Sequence, residues 1–299
     1  MAKGVKMSAE IIDGRKIAEE IREGLKERVA KLEERKVTPG LAVILVGEDP
    51  ASLSYIRMIE REGEACGVHT QVIRLSSEIK QEDLEGKIEE LNQDAKFHGI
   101  ILQLPLPKHL NALSAESKIS PDKDVDGTNP ISTGKLLLGE ETFFPSTPYG
   151  VQQLLTRSGY DPAGKRVVIC GRSNIVGKPL AAILMQKKVG ANATVTICHT
   201  GTKDLASVTR EADILIVAMG RLKSVTADMV KEGAAVIDVG INPMKDPETG
   251  KTKIVGDVDF EGVKEKAAAI TPVPGGTGPV TSVMLMENTI KAAEFATGV

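Results

Sequence analysis

Lys165–Leu180 reads KRVVICGRSNIVGKPL, and this stretch decides the fold. Val167 to Cys170 is a short apolar run rich in β-branched residues, and Asp161-Pro162-Ala163-Gly164 upstream is a turn sequence. Together they predict a buried parallel strand. The run breaks at Gly171, passes Arg172-Ser173-Asn174 and reaches Gly177 just before a helix-period segment, Pro179 to Lys188. A strand, a glycine-marked turn and a helix N-terminus make a phosphate site, because free backbone N–H groups and the helix dipole point at the ligand. The spacing is Gly-x-Ser-x-x-x-Gly and departs from Gly-x-Gly-x-x-Gly. On the glycines alone, a structural turn and a nucleotide site are equally admissible.

The alternation continues on both sides. Downstream the pattern predicts strands at 193–199, 214–219 and 235–239, with helices at 178–188, 203–211 and 226–232,. Lys245 to Lys253 reads as a hairpin or loop, and a last strand, Ala269 to Val273, runs into Pro274-Gly275-Gly276-Thr277-Gly278-Pro279. Val280 to Ala296 is a closing helix. Upstream, Ile17, Ile21, Leu25, Val29 and Leu32 stripe a long amphipathic helix over 14–36,. LAVILV (41–46) is a buried strand, and Asp49-Pro50-Ala51-Ser52 turns the chain into a helix reaching Cys66,. A strand at 68–75, a helix at 81–93 and a strand at 99–106 follow. A turn-rich passage from Ser120 leads to Thr147-Pro148, which opens a helix to Ser158,. The fold class is therefore α/β, with two parallel-sheet domains, the second Rossmann-type, and a cleft between them. The expected boundaries are 1–147, closed by the helix 280–299, and 148–279.

Composition fits an ordinary soluble protein: 299 residues, 41% hydrophobic and 26% charged,. A net charge of −3 gives no electrostatic reason to expect nucleic acid or an anionic membrane as partner,. No apolar run is long enough to span a membrane, and MAKGVKMSAE lacks a signal-peptide core,. Cys66, Cys170 and Cys198 have no ligand-like spacing and are expected to be reduced fillers in a cytoplasmic protein that uses no metal,.

After the second strand of a dinucleotide unit, an acid suits the free 2′-hydroxyl of NAD, whereas basic or hydroxyl groups suit the 2′-phosphate of NADP. Here the strand ends Ile197-Cys198-His199-Thr200-Gly201-Thr202-Lys203 with no acid, and Arg172 lies in the first turn. NADP is the expected cofactor; solvated loop charges are the alternative for Arg172 and Lys203. His199 reads as a hydrogen-bonded structural residue. In the first half Tyr55, Gln103, Asp124 and Asp126 stand out. Gln103 interrupts an apolar run and must find partners or leave a buried amide unsatisfied, at roughly 1–3 kcal/mol. Taken singly they read first as a core tyrosine, a structural glutamine and Asx-turn aspartates, and only their combination with the nucleotide turn and the Pro-Gly-Gly-Thr-Gly-Pro loop favours function.

The chain resembles the methylenetetrahydrofolate dehydrogenase/cyclohydrolase family nearly end to end. The resemblance rests on DPAS with Tyr55 (49–55), GIILQLPLP (99–107), DKDVDG (122–127), GRSNIVGKP (171–179), DVGIN (238–242) and PVPGGTGPVT (272–281). It implies a homodimer in one-carbon metabolism and purine biosynthesis, acting on tetrahydrofolate derivatives with NADP. It further implies that Tyr55 stacks on the folate, Gln103 orients the catalytic group and Asp126 binds the pterin. Gly171, Arg172, Ser173, Gly177, Thr200 and Ile241 would line the cofactor, and Gly276, Pro279 and Thr281 would contact substrate from the last loop.

One position departs from the family. Where it places a lysine four residues after the tyrosine, this chain has Ile59. At roughly 100° per residue, Arg57 and Arg61 lie about 160° and 120° from Tyr55 on the helix, against about 40° for position 59. The expected activity is NADP-linked oxidation of methylenetetrahydrofolate to methenyltetrahydrofolate. The cyclohydrolase step is not expected to follow from the resemblance at this position. Full bifunctionality and a low-turnover folate- or dinucleotide-binding protein are the alternatives.

Overall fold

A computed structural model describes residues 8–245 and 252–298. Residues 1–7, at the start of MAKGVKMSAE, and 246–251, within the expected 245–253 hairpin, lie outside the described residues.

The first elements are β1 (Glu10–Ile11), α1 (Gly14–Glu34), β2 (Gly40–Val46), α2 (Pro50–Cys66), β3 (His69–Leu75), α3 (Gln81–Gln93) and β4 (Gly99–Leu102). Next come α4 (Ala112–Glu116), α5 (Pro130–Leu138), α6 (Ser146–Arg157), β5 (Arg166–Cys170), α7 (Gly177–Leu184), β6 (Thr194–Cys198) and α8 (Leu205–Thr209). The chain ends with β7 (Ile214–Val217), β8 (Ala235–Asp238), β9 (Asn242–Lys245), β10 (Thr252–Val255), α9 (Phe260–Lys264), β11 (Ala269–Ile270) and α10 (Thr277–Thr297).

Two compact units result, Met1–Ala18 with Thr147–Thr281 and Glu19–Ser146 with Ser282–Val299. The second holds a three-stranded parallel sheet ordered β3-β2-β4. Every residue of β2 is buried, as its unbroken apolar run requires of a central parallel strand,. Its core joins Ala42, Ile44 and Val46 to Leu84, Ile88 and Leu91 of α3.

The first unit holds a six-stranded parallel sheet ordered β1-β11-β8-β7-β5-β6. β5 pairs with β6 on one side and β7 on the other, so the strand order reverses at β5. That reversal is where open α/β sheets bind ligands, at the carboxyl ends of the strands. The sequence pattern predicts no strand at 10–11 and the expected boundary of 1–147 puts these residues in the other domain, but Glu10 and Ile11 pair with Ala269 and Ile270 at this sheet's edge. Buried Ala9 and Ile12 flank that edge.

Other differences have local causes. The strand expected over 99–106 ends at Leu102, because Pro105 and Pro107 cannot donate to a ladder,. The helix expected over 226–232 is a single 3₁₀ turn, Ala227–Met229, with no side-chain cap at Thr226 and extended backbone at Val230. The passage read as turns contains α5, which Asn129 caps by accepting from the Ile131 N–H at 2.7 Å. β9 and β10, which flank the undescribed residues, pair antiparallel. Among the described residues no helix is long and apolar enough to cross a membrane.

Candidate active site

In the unit built around β2, Asp49 caps α2 by accepting from the Ser52 N–H at 2.8 Å. This fixes the first turn, from which half-buried Tyr55 projects. Burial, aided by the negative charge of Asp126, raises the Tyr55 phenol far above its usual range. Tyr55 is therefore a neutral phenol within electrostatic reach of that carboxylate.

Asp126 lies on the loop between α4 and α5 and accepts from the Ser146 hydroxyl at 2.9 Å and the Ser146 N–H at 3.3 Å. Burial pushes it up to about 6 against the pull of these bonds, and Asp124 adds to the rise. Asp124 has a different role. Fully buried, it accepts from the Thr128 and Asn129 N–H groups at 3.0 and 2.9 Å and so shapes the loop. Buried Asn288 of α10 donates to the Val125 and Phe144 carbonyls at 2.7 and 2.8 Å, holding both flanks of Asp126's segment. Half-buried Glu116 is pushed up to about 7 by burial and by Asp124 and Asp126. Gln103 sits one residue beyond β4. Its N–H continues the ladder to the Ile44 carbonyl at 2.9 Å, and its side-chain amide donates to the Leu104 carbonyl at 2.6 Å.

Ile59, one turn on from Tyr55, is 0% exposed. The position at which the resemblance implies a lysine is thus sealed and apolar. Neither Glu116 nor Asn288 was singled out from the sequence.

The other unit carries the dinucleotide half-site. Gly171 follows β5 with φ +140°, and a Cβ there would collide with the Ala218 carbonyl. A Cβ on Gly177 would collide with the Gly171 carbonyl. Two loop backbones therefore meet at the strand-order reversal in a gap that only glycine permits, the cradle a pyrophosphate requires. Ser173 Oγ accepts from the Val176 N–H at 3.1 Å and weakly from Gly177, bracing the entry to α7. Arg172 and Thr200 are exposed on the turns after β5 and β6, and Ile241, beyond β8, is 68% exposed. His199 is structural: its Nδ1 accepts from the Gly201 N–H at 3.0 Å, and its N–H donates to Thr202 Oγ1 at 2.9 Å. Gly276 packs against Thr271 and Pro272, and Thr281 Oγ1 donates to the Thr277 carbonyl at 3.1 Å. Cys66, Cys170 and Cys198 are free and buried. Among the described residues no group of three or more His, Cys, Asp or Glu could hold a metal ion.

A parallel sheet with a glycine-only gap at its reversal point defines this unit as dinucleotide-binding. The NAD(P)-binding domain of tetrahydrofolate dehydrogenase/cyclohydrolase matches residues 145–297, and the catalytic domain of the same family matches 12–126. The chain belongs to this family. The bifunctional protein FolD of Syntrophus aciditrophicus is 53% identical over 292 residues, covering 98% of this chain and all of that one. The crystal structure of the bifunctional FolD enzyme of Campylobacter jejuni superposes with a TM-score of 0.91 at 46% identity, covering 97% of this chain and 100% of that one. The Trypanosoma brucei dehydrogenase-cyclohydrolase, complexed with NADP and an inhibitor, also scores 0.91, at 40% identity over 98% of this chain and 99% of that one.

Proposed function

We propose that the protein oxidises 5,10-methylenetetrahydrofolate to 5,10-methenyltetrahydrofolate with NADP, and that its hydrolysis of the product to 10-formyltetrahydrofolate is impaired. Bound NADP supplies the hydride acceptor, and the glycine gap at 171 and 177 with exposed Arg172 and Thr200 fits its phosphates. Asp126, as carboxylate, accepts N–H donors from the pterin, and the Tyr55 ring covers the folate. The methenyl cation is stabilised by its two flanking nitrogens, so oxidation asks the protein chiefly for positioning. Hydrolysis asks for proton transfer to and from water. The observation that carries the reading is Ile59, sealed and apolar on the face where that chemistry needs an amine.

Cofactor reduction and methenyl decay followed on one preparation test both halves. No reduction of NADP or NAD with methylenetetrahydrofolate would sink the enzyme reading and leave a binding protein. Full bifunctionality is the second reading, favoured by Glu116, an ionisable group raised to about 7 beside Asp126. Methenyl decay well above buffer would select it.

The same reading takes the protein as a cytoplasmic homodimer. Three unpaired buried thiols suit a reducing compartment,. Self-association is supported by the open edge of β6, near which Met185, Val189 and Ile197 are 49%, 99% and 37% exposed,. A single-chain mass in equilibrium sedimentation would refute the dimer.

A further inference from the structure

Two carboxylates in the dinucleotide unit are almost completely buried, and no role has yet fallen to them. Asp257 is 0% exposed and Asp238 3%. Asp257 Oδ2 accepts from the Met219 and Gly220 N–H groups at 2.6 and 2.8 Å. Its Oδ1 accepts from the Arg221 N–H at 2.9 Å and from Asn242 Nδ2 at 2.8 Å. Asp238 accepts from the N–H groups of Gly240, Asp257 and Val258 at 2.8, 3.0 and 2.9 Å. Its carbonyl accepts from the Thr277 hydroxyl at 2.8 Å. Glycines make room for both: a Cβ on Gly240 would strike the Asp257 carboxylate, and one on Gly256 would strike Asp238.

The segments so tied are the loops after β7 and β8, at the carboxyl edge of the sheet. The loop after β7 adjoins the Gly171 turn through Ala218. A dinucleotide crosses such a sheet at its reversal point, with its two halves on opposite sides. The adenosine half belongs over β6, where Thr200 stands, so the nicotinamide half belongs over the loops that Asp257 holds.

Three successive N–H groups aimed at one point form an anion-binding concavity. Here Asp257 fills it from inside the protein. With those N–H groups committed, the backbones of Met219, Gly220 and Arg221 have only carbonyl oxygens left for a ligand. Carbonyls suit hydroxyl and amide donors and repel phosphate.

We propose that Asp257 is a positioning residue of the cofactor site, supported by Asp238, and that it fixes the acceptor-bearing turn that binds the nicotinamide-ribose half of the cofactor. This rests on the dinucleotide reading above, and its test separates the two. Asp257→Asn keeps the shape but replaces one acceptor oxygen with an NH₂ group facing N–H donors. Dissociation constants are measured by calorimetry for NADP and for 2′,5′-ADP, which carries the adenosine half and the 2′-phosphate alone. The variant should weaken NADP by roughly ten- to a hundredfold, the scale of one or two hydrogen bonds to a charged group, and leave 2′,5′-ADP within about twofold. A general structural defect would weaken both probes together. Should Asp257→Asn fail to fold, Asn242→Ala removes one donor from the same carboxylate and should show the same selectivity at about three- to tenfold. Equal losses for both probes, or unchanged NADP affinity, overturns the proposal. Wild-type protein that binds neither probe overturns the dinucleotide reading itself.

Discussion

Replacing Ile59 with lysine tests the proposed division between the two activities. Ile59 is fully buried one turn below Tyr55, on a helix whose start is fixed by the Asp49 cap. Burying an isoleucine is worth about 1.5–3 kcal/mol. A lysine keeps much of that contact through its methylenes and adds an amine that burial drives toward the neutral form. A net loss of about 1–3 kcal/mol follows, which at this domain size lowers Tm by roughly 2–12 °C. A lowered amine pKa is also what proton transfer near neutral pH requires. Positioned acid–base catalysis contributes roughly 10²–10⁴-fold, so Ile59→Lys should accelerate methenyl hydrolysis by about that factor. Dehydrogenase turnover, which depends on positioning, should change by less than about tenfold. The assay is the decay of methenyl absorbance with wild type, with Ile59→Lys and with buffer, beside a melting curve for each protein. Wild-type decay far above buffer and indifferent to the lysine would refute the reasoning and move the proton transfer to another group, with Glu116 the first to examine.

Arg172→Ala should weaken NADP by roughly ten- to a hundredfold and leave NAD nearly unchanged, since a charge-assisted hydrogen bond is worth about 1.5–3 kcal/mol. Equal losses for both cofactors in binding titrations would mean that Arg172 shapes its turn and does not read the 2′-phosphate. Asp126, raised to about 6 by burial, loses its charge where an ordinary aspartate keeps it. Only the ionised form offers both oxygens to donors, so the folate KM should rise as pH falls through about 6 while the cofactor Kd does not follow. A raised carboxyl pKa adds stability as pH falls from about 6 toward 4, so unfolding through this group does not explain the loss. Asp126→Asn should bind folate more weakly and flatten the profile; a wild-type KM constant from pH 7 to 5 would exclude the assignment.

Much of this architecture is legible in one dimension because parallel strands are buried on both faces. LAVILV and RVVIC can hardly be anything but central strands, and the stripe from Ile17 to Leu32 can face only a core,. The Asp49 cap and the Gly171–Gly177 turn are equally local, each fixed by residues a few positions apart. What escaped is what distant partners define. β1 is two residues long and exists only because Ala269 and Ile270 stand beside it. α5 is broken in pattern by Gly134, although Asn129-Pro130 and Gly139 mark its ends. Asp238 lay inside a quoted motif without a role, and Asp257 and Asn288 carried no signal, since their partners come from loops that no spacing connects. Gln103 shows the converse: a polar residue read as inside a strand stands just past its end, where its amide serves the next carbonyl.

The pairing of β1 with β11 also bears on how the chain is made. Neither unit is a continuous run: one draws in the segment ending at Ala18 and the other the segment beginning at Ser282. During synthesis, Glu10 and Ile11 emerge long before the strand they border, and the sheet cannot complete its edge until Ala269 and Ile270 have left the ribosome. The segment around β2 likewise waits for the last helix, whose Asn288 ties down the loop bearing Asp126. Completion of both units therefore waits until β11 and α10 have been made, and a cut after Ala18 would strip β11 of one neighbour and leave an open strand edge,.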